Sequence, residues 1–265
     1  MGSKINTFQI LVNKMYEKKS VWEAKVGELC RRIRFVKSEA GCDKMPTDLL
    51  RLALHLNVKT REVPLAMRGR LLRENGNFVV EVNADLSSFD KRQTLAHELS
   101  HLIIEHKYLS LIPNREDRSR VLAMEGLFKI EKLCDEVANE ILLPLLWLSS
   151  RIGTSKPSLN LLQAIVSESA TSLDYVIARV LSKRLWYCRF IWWQKEIAVA
   201  IKSYPSSNIE ILLENPKTSL ITRSLVEQKF MDGQEKLIIE GKKDIYQIQC
   251  IPLDKTNVLA MLSYA

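Results

Sequence analysis

Gln93-Thr94-Leu95-Ala96-His97-Glu98-Leu99-Ser100-His101-Leu102-Ile103-Ile104 is the stretch on which the reading of this chain turns. Its apolar residues are dense enough to bury one face of a helix. A helix repeats every 3.6 residues, so His97 and His101 project to the same side and can share one metal ion, with the carboxylate of Glu98 beside them. The 265 residues include four histidines, three of which (His97, His101 and His106) fall in this neighbourhood. His-Glu-x-x-His on a helix points to zinc-assisted hydrolysis, in which the imidazoles hold Zn2+ and the glutamate is the general base.

Two imidazoles do not complete such a site. Catalytic zinc takes three protein ligands and keeps a fourth position for water. The third ligand is expected from the acidic stretch Glu131-Lys132-Leu133-Cys134-Asp135-Glu136-Val137-Ala138. Glu131 and Asp135 lie four apart and share a helix face, so one can bind the metal while the other receives the ring N–H of a histidine ligand. Cys134, Glu136 and Glu125 carry suitable chemistry as well, and spacing alone leaves them open. Taken by itself, Cys134 reads as a small core residue. His55, on an apolar helix face, reads as structural, and Trp192-Trp193 as sheet packing. His106 and Tyr108 are near the motif in sequence, which does not place either in a cleft, so the donor to a developing oxyanion is unassigned.

Working outward, residues 21–37 have Trp22, Val26, Leu29, Ile33 and Val36 at helical spacing. A second helix is expected from Pro46 through Leu56. Leu71-Leu72 and Phe78 to Val82 flank Asn75-Gly76, a pair suited to the positive φ angles of a tight hairpin turn. Asp90 and Gln93 suggest a capping box, which starts the motif helix near Lys91. The strand around Val79 to Val82 is expected to pair with an extended substrate. Residues 108–120 read as a loop, 121–142 as a helix stopped near Pro144, and 159–185 as two short helices about Ser167-Glu168-Ser169. From Trp186 onward, β-branched and aromatic runs at 190–193, 197–201, 209–213, 237–239, 245–251 and 258–262 alternate with turn residues, which implies strands.

Composition narrows the class. The net charge is +8, but the basic clusters (Lys18-Lys19, Arg31-Arg32-Ile33-Arg34, Lys242-Lys243) are short and are not interleaved with stacking aromatics, so an ordinary basic surface is the simpler reading. The five cysteines are scattered, without a Cys-x-x-Cys pair. That pattern suits reduced thiols and a cytoplasmic location. The longest apolar run, 141–148, contains Pro144 and falls short of a bilayer span, so no membrane partner is expected.

From about Pro46 to Pro144 the chain resembles the ImmA/IrrE family of metallopeptidases. The resemblance rests on Met45-Pro46-Thr47-Asp48-Leu49, Gly69, Val80-Glu81-Val82-Asn83, the stretch Arg92 to His101, and Glu131 to Pro144. It implies a reduced gluzincin-like fold, and it places the family's third zinc ligand on Glu131. Ser100 stands where the family usually has Gly, and Val137 where an aromatic is common; neither change removes a reacting group. In that family the substrate is typically a helix-turn-helix repressor whose cleavage triggers derepression, often in a stress response. Some members carry a helix-turn-helix-like segment and a GAF-like sensor domain after the peptidase.

The expected fold is therefore α+β. A zincin-like helical peptidase domain with a small sheet occupies 1–149, a helix-turn-helix-like segment 150–186, and a smaller strand-rich domain, GAF-like by the resemblance, 187–265. The expected function is zinc-dependent endoproteolysis of a regulatory protein, with Glu98 catalytic, His97, His101 and Glu131 as ligands, and Asp135 behind them. The competing function is a non-proteolytic regulator that binds a protein, a ligand or DNA through residues 150–265, with DNA contacts through 159–185.

Overall fold

The computed structural model describes residues 24, 26–104, 130–194, 199–204, 236–240, 245–252 and 257–264. The architecture is α+β, and the chain divides into two units at Pro144/Leu145. The break falls before the boundary expected at 149, because the helix that straddles that boundary belongs with those that follow it.

In the first unit, helix α1 (residues 26–39) buries Leu29, Ile33 and Val36 at the expected spacing, while Trp22 lies outside the described residues. Lys37 is buried beside them. Its Nζ donates to Thr47 Oγ1 at 2.9 Å and to the Ile141 carbonyl at 3.1 Å. Desolvation pushes this ammonium down to about 8, against the pull of Glu140 and Asp43. Thr47 Oγ1 also donates to the Ile141 carbonyl at 2.7 Å, and Arg34 pairs with the buried Glu140 at 3.0 Å. These bonds tie α1 and the 47 loop to helix α4 (residues 130–142).

Helix α2 (Leu49–His55) begins after Pro46 rather than at it, because the Asp48 carboxylate caps it by accepting the Arg51 N–H at 3.0 Å. Its buried face is Leu49, Leu52 and Ala53.

Three strands follow: β1 (Val58–Val63), β2 (Gly69–Glu74) and β3 (Asn77–Asn83), in the sheet order β1-β3-β2. The hairpin at Asn75-Gly76 forms as expected, with φ of 50° and 82° at the two turn residues. Strand β1 was not foreseen; Val58-Lys59-Thr60-Arg61-Glu62-Val63 is charged along most of its length and pairs in parallel with β3. The pairing sets Arg61 and Arg70 beside Glu81 from opposite sides. Both guanidiniums donate to that buried carboxylate and hold it below the usual carboxylate range, Arg61 foremost. Because β3 is paired on both sides, the strand 79–82 cannot receive an extended substrate, contrary to expectation. The edge strands of this sheet, as far as the described residues go, are β1 and β2.

The second unit holds α5 (Leu145–Ile152), α6 (Leu159–Ser169) and α7 (Leu173–Ser182), followed by β4 (Cys188–Gln194), β5 (Val199–Tyr204), β6 (Lys236–Glu240), β7 (Ile245–Pro252) and β8 (Asn257–Tyr264). These strands form one antiparallel sheet in the order β5-β4-β8-β7-β6. Helices and sheet share this unit rather than forming separate segments at 150–186 and 187–265. Gln249 of β7 joins them, accepting the Leu159 N–H and donating to the Pro157 carbonyl. The break between α6 and α7 comes slightly later than expected. Ala170 takes a left-handed conformation (φ 50°), and Ser172 caps α7 by accepting the Tyr175 N–H at 3.2 Å. The strand expected at 209–213 lies outside the described residues.

Candidate metal centre

The motif helix, α3, spans Ser88–Ile103. It starts before the expected Lys91 because Ser87, not Asp90, is its cap. Ser87 Oγ accepts the Asp90 N–H at 3.1 Å and donates to the Asp90 carboxylate at 2.6 Å. Leu95, Ala96, Leu99, Leu102 and Ile103 are buried, which leaves His97, Glu98 and His101 on a half-buried flank. The buried Ser100 hydroxyl is satisfied by donating to the Ala96 carbonyl at 2.7 Å.

Helix α4 stops at 142, before Pro144, and buries Leu133, Cys134, Val137, Ala138, Ile141 and Leu142. Residues 121–129, including Glu125, lie outside the described residues, as do His106 and Tyr108. The polar side of α4 faces the motif. His97 Nε2 lies 3.2 Å from His101 Nε2 and 3.2 Å from Glu131 Oε2, and His101 Nε2 lies 3.6 Å from Glu131 Oε1. These three side chains form a group that could hold a metal ion, with ligand atoms all within 4.8 Å of one another. Donors bound at about 2.0–2.1 Å to one tetrahedral centre would stand ~3.3 Å apart, close to the 3.2 Å of the His97 contacts and shorter than the 3.6 Å that His101 makes with the other Glu131 oxygen.

Asp135 and Cys134 take positions behind the two histidines. Asp135 is on the far ring nitrogen of His97, with Oδ1 3.2 Å from Nδ1. That carboxylate raises the His97 imidazole above its ordinary value, against the opposing effect of partial burial. Cys134 Sγ lies 3.3 Å from His101 Nδ1, again on the far nitrogen. Burial pushes its thiol well up, with Glu131 and Asp135 acting in the same direction. Neither Cys134 nor Glu136 joins the converging group.

Glu98 is on the same helix, beside the group but not in it. Burial raises its carboxyl above the usual value and Glu131 adds to the effect, while His97 and the backbone N–H of Leu71 pull it down. That amide comes from β2. The bond from Asn83 N–H to the Arg68 carbonyl fixes the alternation along β2, so Gly69, Leu71 and Arg73 turn their backbone groups away from β3. Gly69 permits the approach of β2 to α3. A Cβ there would collide with Thr94 Cγ2 and stand 2.9 Å from the Glu81 carbonyl and 3.7 Å from Glu98 Cγ. No side-chain pattern marks a backbone amide, so Leu71 was not foreseen; Gly69 was the only signal for it.

The helices expected to read DNA present a different surface. The most exposed residues of α6 and α7 are uncharged (Asn160, Gln163, Ser167, Ala178, Ser182), Glu168 of α6 adds a partly exposed carboxylate paired with Arg151, and Arg179, the one basic residue of α7, is buried. No described helix is long and apolar enough to cross a membrane. The five cysteines are all free thiols.

No family model matches the chain, and no curated protein does. Among solved structures, a Mycobacterium tuberculosis transcriptional regulator is similar, with 12% sequence identity and a TM-score of 0.48, over 90% of this chain and 76% of that one.

Proposed function

We propose that this chain is a zinc-dependent endopeptidase that cleaves an extended segment of a regulatory protein, a helix-turn-helix repressor by the family resemblance, and so triggers derepression. The observation that carries the reading is the convergence of His97 Nε2, His101 Nε2 and the Glu131 carboxylate, with Glu98 beside them. Two imidazoles and a carboxylate are a donor set that catalytic zinc sites use. When bound, zinc supplies Lewis-acid polarisation of the scissile carbonyl and acidifies water.

The chain's own residues account for the remaining work. The Glu98 carboxyl, raised by burial, is suited to take a proton from water and return it to the leaving amine. Asp135 orients His97 through Nδ1. The outward backbone groups of Gly69, Leu71 and Arg73 on the β2 edge suit an extended substrate strand, so the pairing expected of β3 moves to β2. An antiparallel sheet with its helices in the second unit is compatible with a GAF-like sensor. The lack of an exposed basic residue on α6 and α7 gives a DNA-binding role little support.

The test is co-expression with a repressor encoded beside this gene, comparing the wild type with Glu98→Gln. A repressor fragment that appears with the wild type and disappears with Glu98→Gln, while zinc content is unchanged, supports the proposal. Derepression that survives in Glu98→Gln refutes it.

A further inference from the structure

A histidine that binds metal through one ring nitrogen is held by whatever meets the other. For His97 that partner is the Asp135 carboxylate. His101 meets a different chemistry. Its Nε2 faces His97 and Glu131, and its Nδ1 stands 3.3 Å from Cys134 Sγ. Cys134 is fully buried, flanked on α4 by the buried Leu133 and Val137. Water does not reach the sulfur.

We propose that Cys134 is a positioning residue for the metal centre: its sulfur accepts the Nδ1–H of His101 and so fixes the tautomer and ring angle that aim Nε2 at the shared point. This rests on the metallopeptidase reading above. A neutral imidazole that offers Nε2 to a metal carries its proton on Nδ1, so the ring is the donor and the thiol sulfur the acceptor. One turn of α4 then supplies a ligand, Glu131, and the partners of both ligand histidines, Cys134 and Asp135. The partners are unequal. A carboxylate makes a charge-assisted bond, whereas a thiol sulfur is a weak acceptor.

The experiment uses the full chain and four forms: wild type, Cys134→Ser, Cys134→Ala and Cys134→Val. Zinc affinity is measured by chelator competition. The His101 Nδ1–H resonance is followed by NMR in the zinc-loaded protein, and thermal midpoints of the metal-free forms are compared so that loss of packing is read separately. Serine keeps an acceptor and should bind zinc within about threefold of wild type. Alanine and valine should each bind about tenfold or more weakly and lose the Nδ1–H signal to exchange. Alanine and valine forms that match the wild type in affinity and signal would overturn the proposal. So would a serine form as weak as valine, since the sulfur would then only fill space. A wild-type chain that takes up no zinc fails the metallopeptidase reading itself; intact zinc uptake with an indifferent Cys134 fails this inference alone.

Discussion

Helices α3, α6 and α7 start from the same local chemistry, yet the pairs α3/α4 and α6/α7 present different faces. Ser87, Ser158 and Ser172 each cap a helix by accepting a backbone N–H, and each helix buries an apolar stripe. In α3/α4 the polar flanks turn toward one another, so that His97 and His101 meet Glu131, Cys134 and Asp135. In α6/α7 the polar groups are absorbed locally. Ser169 bonds the Ile165 carbonyl and Thr171, Arg179 is buried, Glu168 pairs with Arg151 of α5, and uncharged residues make up the rest of the exposed face. Capping and periodicity make a helix; a site arises only where the flanks of two helices put complementary groups within bonding distance.

The comparison can be broken most sharply at Glu98. Glu98→Gln should reduce peptide cleavage by about 10²–10⁴-fold with zinc content unchanged, as loss of a general base does. A variant that loses zinc as well would make Glu98 part of the metal group, against its placement outside it. A smaller effect is expected at Lys37, which ties α4 to α1. Its ammonium is pushed down to about 8 from an ordinary 10.5. Between those values the unfolded chain binds more protons than the folded one, so stability rises with pH across that window. The unfolding free energy of wild type relative to Lys37→Met should grow by up to about 3 kcal/mol from pH 8 to 10.5. A flat difference in denaturant titrations would count against the buried charge.

Gly69→Ala should cost about 1–3 kcal/mol, the range for forcing atoms into a packed space, and should slow cleavage by pushing β2 from Glu98. Unchanged stability and rate would mean that β2 does not crowd α3. The smallest effect belongs to the second pair. Ser172→Ala should destabilise by about 1 kcal/mol through loss of a cap and leave zinc affinity untouched. An unchanged thermal midpoint would show that the Ser172 hydroxyl does not cap α7.

Side chains that repeat with a helical or hairpin period were legible in the sequence: Leu29, Ile33 and Val36, the Asn75-Gly76 turn, and the pair His97/His101. The strands after Trp186 were legible from their β-branched runs. What escaped depended on partners distant in the chain. Strand β1 is masked by its charges, because Arg61 is there to meet Glu81. The central position of β3 follows from that unseen strand, which is why substrate pairing was expected of a strand that has no free edge. Cys134 read as a core residue, and it is buried; that its sulfur meets His101 depends on the packing of α4 against α3. The choice of Ser87 over Asp90 as cap turned on a hydroxyl one turn earlier than the acid that drew notice.

X-ray absorption at the zinc edge of the purified chain tests the central claim most directly. The account predicts one zinc per chain, with a first shell of nitrogen and oxygen alone at about 2.0–2.2 Å, two of the scatterers being imidazoles. A chain without stoichiometric zinc, or a sulfur scatterer at about 2.3 Å that brings Cys134 into the shell, would contradict it.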